Sequence, residues 1–167
     1  MNTTMQEKID TLLEQWSPYF TNNDLNILKV FGYNIVNGIP NNKLLIFRGP
    51  GATGKSTLAR QLMDLFGNSS SVNGVITRKR NNTSNNTNMY YHCCCFKKIL
   101  LYNYGDDIDE EYIEKVITRA PIVCRELHQD PKEHCSTSSI IMIILNYDVI
   151  NQNILMNSDV INFTHIF

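Results

Sequence analysis

The stretch GPGATGKST, Gly49 to Thr57, constrains this chain more than any other. It follows the apolar run KLLIF and precedes LARQLMDLF, whose leucines fall at helical spacing. Glycines in such a turn let the backbone fold so that successive N–H groups point at one anion. The positive end of the following helix adds to that field. Gly49-x4-Gly54-Lys55-Ser56 fills every fixed position of the phosphate-binding loop pattern, between a strand and a helix as the pattern requires. Lys55 can reach the β and γ phosphates of a nucleotide, and Ser56 can hold Mg²⁺. Gly49, Pro50, Gly51, Ala52, Thr53, Gly54, Lys55, Ser56 and Thr57 are therefore the expected cradle for ATP with Mg²⁺. The bland alternative is a glycine-rich turn without a ligand.

The rest of the chain sets the fold around that loop. TMQEKIDTLLEQW carries a capping-box signature, Thr4 with Glu7, and Ile9, Leu12, Leu13 and Trp16 follow at helical spacing. NDLNILKVFGYNIV predicts a second helix capped by Asn23 or Asp24, with Leu25, Leu28, Phe31 and Ile35 on one face. KLLIF, Lys43 to Phe47, reads as a strand buried on both faces. After the loop, Leu58, Leu62, Leu65 and Phe66 share one helical face, and Gly67 stops the helix. Residues 68–92 form a polar insert whose asparagine-rich half, Asn81 to Asn88, is expected to be a mobile loop. Further strands are expected at Ile99–Asn103, IVCREL, SIIMIILN and VINF. DIDEEYIEKVI reads as a helix and HQDPKEHC as a turn. Strands alternating with helices indicate an α/β fold, three layers around a largely parallel sheet. We expect a short N-terminal helical segment over 1–40 and the loop-bearing core over 41–167.

Composition excludes some partners. The net charge is −1, so no global basic field drives the chain onto nucleic acid; such binding needs a local patch or an assembled ring. No run of 18 apolar residues is present and the first 25 residues are polar and acidic, so neither a membrane span nor a secretory leader is expected. The five cysteines, an odd number, suit free thiols and an intracellular, reducing compartment. Cys93, Cys94 and Cys95 are adjacent and lack the spacer of structural zinc sites, so a strand edge of small apolar side chains is the simpler reading.

Hydrolysis would need more than the loop. An acidic residue must help hold Mg²⁺ and another group must orient water, usually at the end of a neighbouring strand. The candidate strand, KKILLYNYGDDID, ends in Asn103 and Tyr104, with Asp106 and Asp107 two or three residues later. Two uses fit that spacing. The carboxylates reach the metal through a bulge or a water, or they open the next helix as cap and dipole partners. Asn146 leaves a buried strand where open α/β sheets line their ligand crevice, which suits contact with a γ-phosphate or water; a plain strand-end turn is the alternative. Arg125 and the run Arg78-Lys79-Arg80 are candidate phosphate or nucleic-acid contacts, although exposed basic residues are mostly solvated surface.

With these pieces in order, Lys43 to Phe167 resembles the superfamily 3 helicase domain of viral and phage primase-helicases, the poxvirus type in particular. The residues that carry the resemblance are RGPGATGKSTLARQL, then KKILLYNYGDDIDEEYIEKVITRAPIVCRELHQDPKEH, then IIMIILNYD. The resemblance implies an AAA+-like P-loop NTPase fold and hexameric rings, or a larger replication complex, with ATP between subunits. Single-stranded or forked DNA is the implied partner, and the host cytoplasm or nucleus the implied location. It puts a basic β-hairpin over VCRELHQDPKEH, with Arg125 and Lys132 as its nucleic-acid contacts. It gives Lys55, Asp106, Asp107 and Asn146 catalytic roles, with Ser56 and Asp106 at the metal. Three positions depart from the pattern. Tyr104 stands where the family usually has a glutamate, Arg119-Ala120-Pro121 where it often has Gly-Gly-Asp, and Asn157-Ser158 near its paired arginines. The open alternatives are a nucleotide-binding relative that does not hydrolyse and a P-loop small-molecule kinase.

Overall fold

A computed structural model of the chain describes residues 4–67, 70–71, 97–104, 110–125, 128–145 and 152–164. Helix α1, Met5–Trp16, starts at the expected capping box: Glu7 N–H donates to Thr4 Oγ1 (3.2 Å) and Thr4 N–H to Glu7 Oε2 (2.6 Å). A single 3₁₀ turn, Ser17–Tyr19, leads to α2, Asn22–Val36. Its cap is Thr21, not Asn23 or Asp24. Thr21 has extended backbone, and its hydroxyl accepts the Asp24 N–H at 3.2 Å. Asp24 is the third residue of the helix and returns a carboxylate oxygen to the Thr21 N–H at 3.1 Å. Both residues belong to one box, so the helix starts before the aspartate.

The remaining elements are β1 (Leu44–Gly49), α3 (Lys55–Phe66), β2 (Ser70–Ser71), β3 (Ile99–Asn103), α4 (Glu110–Thr118), β4 (Ile122–Cys124), β5 (Lys132–His134), β6 (Ser139–Leu145), α5 (Gln152–Met156) and β7 (Ser158–Asn162). Among the described residues, five strands make one parallel sheet in the order β2-β3-β6-β1-β7. Strand β6, late in the sequence, separates β1 from β3, pairing Leu45 with Ile141 on one side and Leu101 with Ile141 on the other.

Alternation along β1 separates two cores. Leu45 and Phe47 face the helices α1, α2 and α3, where they join Ile9, Trp16, Leu28, Phe31, Leu58 and Leu62. Leu44 and Ile46 face α4 and α5, with Tyr112, Ile113, Val116 and Ile154. A strand covered on both faces must be apolar at successive positions, which is why KLLIF has no alternation. On α3, Leu58, Ala59, Leu62 and Phe66 are buried, while Leu65 is half-buried at the margin of that face.

Four elements differ from the sequence reading. β4 is not a strand of the central sheet; it pairs antiparallel with β5 in a separate hairpin, Ile122 opposite His134 and Cys124 opposite Lys132. The physical sign is its alternation. Ile122 and Cys124 are buried and Val123 between them is 57% exposed, the pattern of a strand with one wet face. The segment HQDPKEHC, expected as a turn, contributes β5; a hairpin at this place is what the family resemblance implied. β2 falls within the insert expected to be polar loop, and α5 occupies a stretch expected to have no helix. The run Asn81–Asn88, the basic run Arg78–Arg80 and the cysteines Cys93–Cys95 lie outside the described residues. Cys124 and Cys135 are free thiols, buried and exposed respectively. Among the described residues no helix is long and apolar enough to cross a membrane.

Candidate functional site: the loop between β1 and α3

β1 runs two residues further than KLLIF suggests, through Arg48 and Gly49, so the strand delivers its last residue directly into the loop. Gly49 has φ 150°, and a Cβ built there would stand 2.2 Å from the carbonyl oxygen of Phe163. The Phe163 N–H in turn donates to the Arg48 carbonyl at 2.7 Å. Gly49 is therefore held to glycine by the chain that continues β7, whatever lies in the loop.

The loop is braced from within. Thr53, 2% exposed, donates its hydroxyl to the Pro50 carbonyl at 2.9 Å. Lys55 is 4% exposed, and its ammonium donates to the Gly49 carbonyl at 2.7 Å, to Thr53 Oγ1 at 3.0 Å and to the Pro50 carbonyl. All three acceptors are neutral, and burial lowers the Lys55 pKa from its ordinary value of 10.5. Ala52 has φ 57° and Gly54 has φ 90°, so the backbone reverses twice before α3 begins. Gly54 caps α3 without a side chain, and the first intrahelical bond runs from Leu58 N–H to its carbonyl at 3.0 Å. The amides of Lys55, Ser56 and Thr57 precede that bond and have no helical acceptor. Ser56 and Thr57 are exposed, as are Gly51 and Ala52. The result is a cation and a set of helix-end amides on one short turn, which fits an anion of the phosphate type.

The strand ends around the loop share one edge of the sheet. Gly49 is paired with Leu145, and Asn103 with Ile143. Asn103 is exposed at the end of β3. Tyr104 follows it, with its N–H bonded to the Ile143 carbonyl at 2.8 Å and its half-buried ring against the core on the α4 side. Asp106, Asp107 and Asn146 lie outside the described residues. Arg125 and Lys132 stand at the two ends of the loop that connects the hairpin strands, since Cys124, next to Arg125, pairs with Lys132. Lys132 is exposed and Arg125 half-buried.

Of three residues that sequence reasoning did not assign, Phe163 lies beside the loop, and Arg119 and Asn41 brace the opposite end of the sheet, where β6 begins. Phe163 abuts Gly49 and gathers Phe47, Phe20 and Trp16 at ring separations of 5.2, 5.0 and 6.3 Å. Arg119, φ 60° at the end of α4, donates to the carbonyls of Ser136 (2.9 Å), Ser138 (2.7 Å) and Asn41 (3.0 Å). Burial lowers its pKa from the ordinary arginine value. Asn41 links α2 to β6 through the Phe31 carbonyl (3.1 Å) and Ser139 Oγ (3.0 Å). An arginine between a helix and a proline was the available signal for Arg119. Nothing local marks Phe163 or Asn41, whose partners are distant in sequence.

No protein-family model matches the sequence, and no curated protein does. Solved structures do. The apo C-terminal region of NrS-1 matches 98% of this chain with TM-score 0.65 and 18% identity. JCV helicase bound to an acetamide ligand matches 97% with TM-score 0.62 and 16% identity, and another X-ray structure of JCV helicase matches 95% with TM-score 0.57 and 14% identity. The chain spans 41% of the NrS-1 chain and 46% and 51% of the two JCV helicase chains. At these identities the likeness is one of fold. The parallel sheet, the loop between β1 and α3, and the helices on both faces thus form an α/β fold of the P-loop NTPase kind, similar to that of viral helicases.

Proposed function

We propose that the chain is the nucleotide-binding core of a superfamily 3-type DNA helicase. It takes ATP with Mg²⁺ at Gly49–Thr57 and acts on single-stranded or forked DNA in replication, as a hexameric ring or within a larger complex. The observation that carries this reading is the braced loop, with the Lys55 ammonium and the first amides of α3 concentrated on one turn. On binding, Lys55 exchanges neutral carbonyl partners for phosphate oxygens, a stronger, charge-assisted bond. Ser56, exposed in the first turn, is the residue to hold Mg²⁺, which when bound neutralises charge on the β and γ phosphates. Asp106 is proposed as a second residue at the metal, with Asp107 beside it and Asn146 toward the γ-phosphate. No arginine follows Arg125 in the given sequence, so in this reading an arginine at the transition-state charge comes from an earlier position or from a different chain of a larger complex. Arg125 and Lys132, together on the hairpin, are the proposed DNA contacts.

One observation favours a second reading, nucleotide binding without turnover. Tyr104 stands where the resemblance implies a glutamate, and its ring packs against the core. One experiment separates the two readings. Thermal unfolding is followed with and without ATP–Mg²⁺ for the wild type and Lys55→Ala, with phosphate release measured in the same samples. ATP at 100 times its Kd should stabilise the fold by about 2.7 kcal/mol. A shift lost in Lys55→Ala, with phosphate released, supports the ATPase. A shift without release supports the second reading, and no shift in the wild type counts against both.

A further inference from the structure

Strand β7 forms one edge of the parallel sheet, and its pairing fixes which backbone groups face outward. Along a strand, bonding groups alternate between its two sides. The Asn157 carbonyl accepts the Leu44 N–H at 3.0 Å, and the Phe163 N–H donates to the Arg48 carbonyl at 2.7 Å. Between those two bonds, Asp159 and Ile161 therefore turn their N–H and C=O groups toward β1, while Val160 and Asn162 turn theirs outward. Among the described residues, β1 is the one strand that pairs with β7, so the outward groups have no strand partner.

Such an edge is normally guarded by a lysine, a proline or a bulge, because any extended chain can add to it. SDVIN, Ser158–Asn162, carries neither lysine nor proline. Its one charge, Asp159, is taken up by Lys43 of the same chain at 2.8 Å. A groove of about 420 Å³ lies between this edge and α2, with Ile27, Val30, Leu45 and Asp159 among its lining residues. Val30 stands 50% exposed there. A strand added to β7 would bond the outward backbone groups and close the open side of this groove.

We propose that β7 pairs antiparallel with β7 of a second copy of the chain, joining two sheets into one. Val160 exchanges both backbone bonds with Asn162 of the second copy, and Asn162 with its Val160. Antiparallel pairing of one strand with itself is self-complementary, so a single surface serves both copies. Charge selects the direction. In this register Asp159 stands opposite Phe163 of the second copy, whereas a parallel copy in register would set two Asp159 carboxylates side by side. The other edge of the sheet, β2, pairs over Ser70–Ser71 alone and offers too short a ladder for a head-to-tail contact. With a net charge of −1, the copies repel each other little. The contact closes at two copies and is independent of the nucleotide reading of the loop.

The test is sedimentation velocity of the full chain over a range of concentrations, without nucleotide. The expected result is an equilibrium between monomer and dimer. Val160→Pro removes an outward N–H that β1 does not use, at an edge position where proline is tolerated. It should weaken the dimer about tenfold or more, since each copy loses a bond. Amide exchange gives a readout that needs no variant. The Val160 and Asn162 amides should exchange fast in dilute protein and slowly in concentrated protein, while Asp159 and Ile161 stay protected in both. A monomer at every concentration overturns the proposal. So does an oligomer in which the Val160 amide remains unprotected.

Discussion

At the residue scale, Gly49 and Lys55 show two different demands on one motif. Gly49→Ala puts a methyl group 2.2 Å from the Phe163 carbonyl, so β7 must separate from β1. We expect a loss of about 2 kcal/mol or more, read as a lower urea midpoint with an unchanged slope. Gly51, with nothing within 4 Å of its Cβ position, should tolerate the same change far better. For Lys55 the prediction concerns pH. Its folded pKa is lowered by burial, so between that value and 10.5 the unfolded chain binds more protons than the folded one. Stability of the ligand-free protein should therefore rise with pH through that alkaline window, and Lys55→Met should flatten the rise. Phosphate oxygens beside Nζ push the pKa back up. ATP binding in the same window should then take up a proton, seen as a binding enthalpy that varies with the ionisation enthalpy of the buffer.

At the scale of elements, caps and strand ends carry the information. Thr21→Ala removes the hydroxyl that accepts the Asp24 N–H and should cost about 1 kcal/mol, seen as a lower thermal midpoint. If the hairpin contacts DNA as proposed, Lys132→Ala should weaken binding across sequences and reduce the slope of log K against log salt by about one. These elements also show what sequence could yield. α1, with its capping box, and β1, with its apolar run, were legible because their determinants are local. The loop was legible because its glycines, lysine and serine stand at fixed spacing. The cap of α2 was misplaced because Thr21-x-x-Asp24 is a weaker signature than one closing in glutamate. The strand in IVCREL was legible, but its partner was not, because three residues cannot reveal which strand they pair with. The order β3-β6-β1 was beyond local reading, since it depends on pairings between segments far apart in sequence.

At the scale of the whole molecule, long-range polar contacts tie the layers together. Arg119 bonds the carbonyls of Ser136, Ser138 and Asn41, and Asn41 bonds α2 and β6. Arg119→Met fills similar space but leaves those carbonyls without their donor. We expect a loss of about 2–3 kcal/mol, measurable by denaturant unfolding. Trp16 is the single tryptophan of the chain, bonded through Nε1 to Gln61 on α3 at 2.8 Å and in ring contact with Phe163. Ligand in the loop should therefore alter its emission, and Gln61→Leu should change the baseline spectrum. The pairing of β1 also sets a timetable. Leu45 in this central strand is flanked by Ile141 and Asp159, both from the last part of the sequence. While the chain is being synthesised, β1 and its loop must wait, unpaired, until the residues of β6 and β7 have left the ribosome. Protection of the Leu45 and Phe47 amides should be absent from nascent chains that stop before Ser139, and should arise only once β6 is free to pair.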